Sequence, residues 1–510
     1  MMDRNSIKVR FLSTFITNIL RLGILFITGI IIARTLGPSE YGNFNFLLGS
    51  FTSLVTLVDM ASSSAFYTFI SQRKRGKIFF IYYANWVIAQ LFILLIFTLT
   101  VPNSFKQKIW LGQSSELLIL ALFATFSINL IWRLAGQIGE SIRDTVGVQI
   151  RNLTLAVAYL LCVVGLAGFD MMNIKKIFIV NIILYLFLSY LYFRRMCRIG
   201  IVTNEMHEDF KAIYGEYKRF CLPLVAYTII GFIYSFADYW MLQKYGGSVQ
   251  QGYYSIGYRF AFLSLIATTS ILQIFWKEIA EAYSTGNSDK VRILYKRVSR
   301  GLYFAGAVIS CVLIPFSKEI LSLLLGAQYQ AAWLPLGLMF LYPIHQSMGQ
   351  ITGTMLFATE KTKVKSIIGI FFMISSIVMA YFMLAPEDAI IPGLNMGAVG
   401  LALKMLICQF IEVNLMAFFV SRYVNLAFDW SHQLYVLLIL LSLGFFCKFF
   451  VERGLSLFYS GEHVIFTMFG SGFLYLISVA TLVRFSPSIA GFNKDQVDYG
   501  LALFRKRVNF

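Results

Sequence analysis

Arg21 stands in the middle of a long apolar run. Around it Thr14, Asn18, Leu25 and Thr28 follow the i+3, i+4 spacing of one helix face. Asn45, Gly49, Thr52, Thr56, Asp59 and Ser63 form a second polar stripe of the same kind, and Tyr227, Gly231, Tyr234 and Asp238 a third. Further along, Ser255 and Arg259 are one turn apart, and Lys404, Cys408 and Glu412 share one side of another apolar run. Charges inside such runs are costly and mark sites where something polar is handled. Arg21, Arg259 and Lys404 are therefore the candidate cavity cations, suited to holding an anionic group away from water. Asp59, Asp238 and Glu412 are the candidate ion-coupling or countercharge carboxylates, and Asn18, Thr56 and Tyr234 the candidate polar lining.

Plainer readings stand beside these. Arg21 and Arg259 lie within a few turns of helix ends, so a salt bridge to Asp59 or Asp238 is the structural alternative. Arg34 and Lys244 sit at helix ends, where long cationic side chains reach back to the interface or hold a turn. Lys318 and Glu319, beside Pro315, read as a local pair, and His345 as a hydrogen-bonded packing histidine.

No catalytic constellation is legible. Paired carboxylates on a shared polar loop, a Ser-His-Asp set and a GxxxxGK[ST] phosphate loop are all missing from the sequence, so no enzyme is expected and no cofactor or metal. The six cysteines form no CxxC pair and read as small apolar packing residues, and the four histidines have no metal-ligand spacing.

The elements that must position these residues follow from composition. Of 510 residues 58% are hydrophobic and only 13% charged, with a mean hydropathy of +0.72. Apolar runs of about twenty residues recur end to end, each long enough to cross a bilayer as a helix. The reading is about fourteen, near 11–33, 43–69, 78–101, 115–135, 149–168, 174–193, 220–243, 252–276, 299–325, 331–358, 364–385, 396–421, 431–450 and 463–484. No room is left for a soluble catalytic domain. The N-terminal run, long and containing Arg21, does not fit a cleavable signal peptide.

Lys and Arg cluster in alternate loops: Arg73 to Lys77, Arg194 to Arg219, Lys290 to Arg300, Lys361 to Lys365 and the tail Arg505-Lys506-Arg507. The positive-inside rule then puts both termini in the cytoplasm. The net charge of +18 is spread over these short loops, which argues against nucleic acid. Two loop segments, 204–219 and 288–299, read as amphipathic helices on the cytoplasmic surface. In the first, Phe210, Ile213, Tyr214 and Tyr217 oppose Glu208, Lys211, Glu216 and Lys218; in the second, Ser288 is the expected N-cap.

The chain also repeats itself. A shift of 210 places Arg34 on Lys244, Gly37 on Gly247, Gly42 on Gly252 and Phe44 on Tyr254. A shift of 213 places Pro102 on Pro315 and Gly136-Gln137-Ile138 on Gly349-Gln350-Ile351. Two six-helix halves in parallel orientation would surround a central path, as transporters do. The division is 1–198 for the first lobe, 199–219 for a linker, 220–425 for the second lobe, 426–485 for two extra helices and 486–510 for a basic tail.

The stretch Arg34-x-Leu36-Gly37-Pro38-x-x-Tyr41-Gly42 resembles the start of the polysaccharide-transport branch of the MOP exporter superfamily, which includes the O-antigen and capsule-repeat flippases. The stretches from Asp238 through Gly246-Gly247 to Gly252-Tyr253-Tyr254-Ser255, and Leu325-Gly326-Ala327-Gln328-Tyr329, are similar to the same branch. The resemblance implies an all-α polytopic protein of the bacterial inner membrane with a V-shaped, two-lobed alternating-access fold. It also implies translocation of undecaprenyl-pyrophosphate-linked oligosaccharide repeat units from the cytoplasmic to the periplasmic leaflet, with coupling to an H+ or Na+ gradient in some members. On that reading the partners are the lipid-linked oligosaccharide, a coupling ion and other polysaccharide-assembly proteins. Arg21 and Arg259, with Lys404, would then clamp the pyrophosphate. A multidrug/cation antiporter of the same superfamily and a peptidoglycan-precursor flippase are the alternatives. A membrane polymerase would need a sizeable extracytoplasmic loop bearing catalytic side chains.

Overall fold

The structure is a computed structural model that describes residues 7–199, 208–264, 266–426, 430–456, 464–491 and 494. It is 89% helix, with no strand among the described residues. The chain forms two compact units, residues 1–252 with 380–397, and residues 253–379 with 398–510. The first holds α1 (Ile7–Asp59), α2 (Ser62–Gln72), α3 (Lys77–Thr100), α4 (Asn103–Trp110), α5 (Ser115–Phe126), α6 (Arg133–Ser141), α7 (Thr145–Gly168), α8 (Ile174–Ile199), α9 (Phe210–Cys221), α10 (Val225–Met241) and the start of α11 (Gly247–Ser264). The second holds the rest of α11, then α12 (Ile266–Ser284), α13 (Ser288–Leu313), α14 (Ser317–Leu325), α15 (Trp333–Met339), α16 (Tyr342–Ala358), most of α17 (Thr362–Leu384), α18 (Gly397–Tyr423), α19 (Trp430–Ser456) and α20 (Val464–Phe485).

Eleven described helical stretches are long and apolar enough to cross a membrane, so the protein is a multi-pass membrane protein. Three of them run to 44, 53 and 38 residues, well beyond the roughly twenty that one crossing needs. The 44- and 53-residue stretches each take in two of the runs read in the sequence, and the run near 331–358 is divided between the shorter α15 and α16.

Glycine marks the breaks. Within α1, Gly37 adopts φ 75° and ψ 170°, a region open essentially to glycine alone, and Pro38 restarts the helix. Gly247, at the head of α11, has φ 74° and ψ 178°. The two turns pack together inside the first unit. A Cβ on Gly42 would lie 1.8 Å from the Ser248 carbonyl oxygen, and one on Gly252 would lie 2.1 Å from that of Pro38. Ser39 and Ser248 share a hydroxyl hydrogen bond of 2.7 Å, and Gln243 donates to Asn43 Oδ1 at 2.9 Å.

A second break follows Asp59, where Met60 (φ 45°) and Ala61 (φ 63°) carry the chain through the left-handed region. The Asp59 carboxylate accepts from the Ser63 amide at 3.1 Å and from the Ser62 and Ser63 hydroxyls at 2.7 Å each. That satisfies donors at the head of α2 that no helical carbonyl can reach.

The segment read as an amphipathic linker is helical as α9, but its faces differ from the expectation. Ile213 and Tyr217 are buried, whereas Phe210 and Tyr214 are more than half exposed. Glu208 and Glu216, expected on the water-facing side, turn inward to Arg75. The segment 288–299 is the first half of α13 rather than a separate surface helix, and its N-cap is Asn287, whose side chain accepts from the Lys290 amide. An asparagine one residue earlier caps as well as the expected Ser288 would.

In the second unit α12, α13, α16, α17, α18, α19 and α20 share one apolar core that includes Tyr303, Met355, Phe372, Val413, Leu440 and Tyr475. α19 lies against α13 so closely that a Cβ on Gly444 would be 2.2 Å from the Cys311 carbonyl oxygen. Glu319 does not pair with Lys318. It pairs with Lys448 of α19, which also donates to the Pro315 carbonyl, while Lys318 lies over the Trp333 ring. Neighbours in sequence at a helix start point apart, so the longer-range partner wins.

Candidate functional site

In the first unit the stripe on α1 becomes a wall. Asn45, Gly49, Thr52 and Thr56 face Gly231, Ser235 and Tyr239 of α10 across a cavity of about 290 Å³. The α1 wall follows the helical spacing read in the sequence, whereas the α10 wall shares only Gly231 with the Tyr227, Gly231, Tyr234 and Asp238 face expected there. Gly49 is required there, because a Cβ would meet the Tyr239 ring at 2.6 Å. Thr56 is exposed and donates back to the Thr52 carbonyl at 2.9 Å, leaving its oxygen as an acceptor at the wall. Asn129 donates to the Thr52 hydroxyl at 3.1 Å and fixes it. The lining is neutral, offering hydroxyl, amide and phenol groups that can donate and accept hydrogen bonds.

The other expected residues of this unit lie outside that lining. Arg21 is half-buried on α1, its Nε has no hydrogen-bond partner among the described residues, and Tyr185 of α8 is its electrostatic neighbour. Asn18 lies one turn before it, also half-buried. Tyr234 is half-buried and Asp238 is buried on α10. Asp59 is buried and engaged in capping α2, and it forms no pair with Arg21. Its serine partners extend the network. Trp86 and Gln90 donate to the Ser62 hydroxyl, Arg133 to the Ser63 hydroxyl at 3.4 Å, and Gln137 to the Ser63 carbonyl at 3.1 Å.

In the second unit Lys404 is completely buried on α18. Two turns on, Glu412 is half-buried, with Lys365 of α17 and Tyr342 of α16 as electrostatic neighbours. Lys365 had read as one more loop cation. It instead lies in the first turn of α17, with Nζ 3.9 Å from the centroid of the Phe357 ring. Nothing in its local spacing separates it from Lys361 and Lys363, because only the packing of α17 on α16 turns it inward. Arg259 is half-buried on α11. His345 contacts the rings of Tyr303 and Phe410, and its Nε2 has no hydrogen-bond partner among the described residues; nearby, Gln433 donates to Asn414 Oδ1 at 2.9 Å.

At the turn outside these sites, Lys244 lies 4.5 Å over the Trp240 ring, as a residue that anchors a helix end would. Arg75, between α2 and α3, is a heavily engaged cation. It is 3% exposed, lies over Phe69 and Phe79, and binds Glu208 at 2.9 Å and Glu216 at 2.7 Å. Burial lowers its pKa, but the bonds from Glu216 and Glu208 outweigh that and raise it.

No protein-family model matches the chain, and no curated protein matches it by sequence. Solved structures do match by fold. One is similar to it with a TM-score of 0.69 at 16% identity, over 93% of this chain and 99% of the other: the lipid II flippase MurJ in an inward closed conformation. An inward-facing multidrug-resistance MATE transporter of the MOP superfamily is similar with a TM-score of 0.58 at 15% identity, over 80% of this chain and 96% of the other. A MOP superfamily transporter from Pyrococcus furiosus, described as having a binding pocket of reversed polarity, is similar with a TM-score of 0.55 at 12% identity, over 82% and 96%. The chain has the fold of these transporters.

Proposed function

We propose that this protein is a flippase for polyprenyl-pyrophosphate-linked oligosaccharide, working by alternating access in the bacterial inner membrane with both termini in the cytoplasm. The observation that carries the proposal is the fold match to a lipid II flippase across 93% of this chain and 99% of that one. The matched MATE transporters align with a smaller share of this chain. Dragging a diphosphate and a glycan through hydrocarbon is prohibitive, so a flippase needs neutral hydrogen-bonding walls and fixed cations. The Asn45-to-Thr56 cleft supplies the first; Arg21, Arg259 and Lys404 are proposed to supply the second.

The two-repeat organisation belongs to the same proposal. Residues related by the 210-residue shift have matching backbone angles at Gly37 and Gly247 and opposing contacts at Gly42 and Gly252. That is the geometry a duplicated turn would produce about a pseudo-twofold axis. Six crossings per half plus two extra helices gives the fourteen of the proposal, with Gly37 dividing the 44-residue stretch into two passes. Asp238 and Glu412 are proposed as the coupling carboxylates, and the substrate as an O-antigen, capsule or exopolysaccharide repeat unit.

Lipid II transport is the second reading, favoured by the MurJ match itself. Deleting the gene in its host separates the two. Repeat-unit transport predicts loss of surface polymer and build-up of its lipid-linked repeat on the cytoplasmic leaflet while wall synthesis continues. Arrest of wall synthesis with lipid II build-up would establish the second reading instead, and no change in either lipid would refute both.

A further inference from the structure

A second cavity, of about 560 Å³, lies in the first unit away from the polar cleft, where the turn between α6 and α7 meets the end of α8. Three arginines line it. Arg143 stands in the turn and Arg195 near the end of α8, both exposed; Arg151 lies in the second turn of α7 and is only 8% exposed. The Arg151 guanidinium is held between two rings, 4.4 Å from the Trp132 centroid and 4.2 Å from that of Tyr192. Its Nε and Nη1 have no hydrogen-bond partner among the described residues. Stacking fixes a guanidinium in place but satisfies none of its donors, and a buried donor without a partner is costly.

The carboxylates nearby do not fill that need. Asp144 lines the same cavity, but one oxygen accepts from the Gly147 amide and the other has no partner. Glu140 accepts from the Thr145 hydroxyl. Both are electrostatic neighbours of Arg151, yet neither forms an ion pair with it within 4 Å. Three cations against one lining carboxylate leave the cavity positive, with Ile150 and Leu191 exposed at its wall.

We propose that this cavity is an anion site separate from the transport cleft, and that it takes a phosphate group, presented by the headgroup of an anionic lipid, on Arg151, Arg143 and Arg195. A phosphate accepts from several guanidinium donors at once and has more acceptors than a carboxylate. Free phosphate has the same recognition chemistry. The exposed Ile150 and Leu191 favour the lipid, because their side chains can meet an acyl chain where a soluble anion would find only apolar surface.

The test uses the full-length protein in detergent and in nanodiscs. Native mass spectrometry and thermal shift would measure binding of phosphatidylglycerol, phosphatidylcholine and inorganic phosphate. The site predicts phosphatidylglycerol retention and stabilisation beyond phosphatidylcholine. Arg143→Gln and Arg195→Gln, both at exposed positions that leave the core intact, should each weaken it about 10- to 100-fold. Arg151→Lys, which keeps the charge but not the fork, should weaken it as well. If inorganic phosphate stabilises the protein as strongly as the lipid does, and the same variants abolish it, the lipid assignment is overturned in favour of a soluble anion. Equal binding of both lipids, or phosphatidylglycerol binding indifferent to Arg143→Gln and Arg195→Gln, overturns the site altogether.

Discussion

Gly42 and Gly252, 210 residues apart, sit in opposing contact. The α-carbon of each presses on the backbone of the turn that begins the other's helix, Gly42 on Ser248 and Gly252 on Pro38. Pro38 and Ser248 are themselves related by the same shift, so the contact is reciprocal. A side chain at either glycine would force two backbones apart, and backbone cannot be repacked the way a flexible side chain can.

Gly42→Ala and Gly252→Ala should therefore each destabilise the protein, by about 1–3 kcal/mol or more, as overpacking does. Thermal unfolding in detergent reads this as a lowered apparent Tm, with Gly23→Ala as control. Gly23 is helical with nothing within 4 Å of a new Cβ, so its replacement should leave Tm unchanged or raised. Equal Tm for all three would mean the turns are not packed as described.

Gly247→Ala tests the backbone rather than the space, since no atom lies within 4 Å of a Cβ there, and Gly37→Ala puts a side chain on the same backbone conformation. Strain at φ near 75° and ψ near 175° should cost about 1–3 kcal/mol. Replacement of Gly37 by D-alanine through semisynthesis, which accepts positive φ, should restore most of it. Loss that D-alanine does not restore would locate the effect elsewhere.

Arg75 should hold α9 to the first unit. Arg75→Ala leaves Glu208 and Glu216 only the exposed Arg73 as a partner, a change worth about 1.5–3 kcal/mol for the lost charged hydrogen bonds. Limited proteolysis should then cut within 208–221 where the parent resists. Because its folded pKa is raised above an already high value, the stabilising charge is present throughout the working range and would be lost only as pH rises beyond that pKa. Raising the pH to 10 should therefore leave α9 protected. Cleavage on alkalinisation alone would contradict this.

Topology is open to single-cysteine labelling in a cysteine-free background. An impermeant reagent added outside should modify Asp388→Cys and spare Lys74→Cys and Lys290→Cys; the opposite pattern would invert the proposed orientation. Lys74 is used because it is exposed, whereas its neighbour Arg75 is locked into the α9 contact.

How much of this could be read in advance depends on the range of the interaction that decides it. The wall from Asn45 to Thr56 was legible because one helix face is set by spacing alone. The Gly37 and Gly247 turns were legible because a basic residue, a glycine and an aromatic recur in order. Asp59 was half legible. Its stripe was seen, but Ser62 and Ser63 at i+3 and i+4 are also a helix-cap signature, and capping is what it does. Lys365, Arg151 and the inward turn of Glu208 and Glu216 were not legible, because each is decided by a partner on another helix. The Lys448 partner of Glu319 lies 129 residues away, beyond any local pattern.

The most direct measurement is translocation itself. The purified protein is reconstituted into vesicles carrying a fluorescent polyprenyl-pyrophosphate-linked oligosaccharide in one leaflet, and a glycosidase outside reads arrival at the other. Protein-dependent transfer is the expected result. Arg21→Ala and Arg259→Ala should each reduce it about 30- to 1000-fold, the equivalent of roughly 2–4 kcal/mol for a lost charge-assisted contact, with Arg→Lys only partly active. Transfer no faster than in protein-free vesicles would contradict the flippase reading, and wild-type rates from both alanine variants would contradict the arginine clamp.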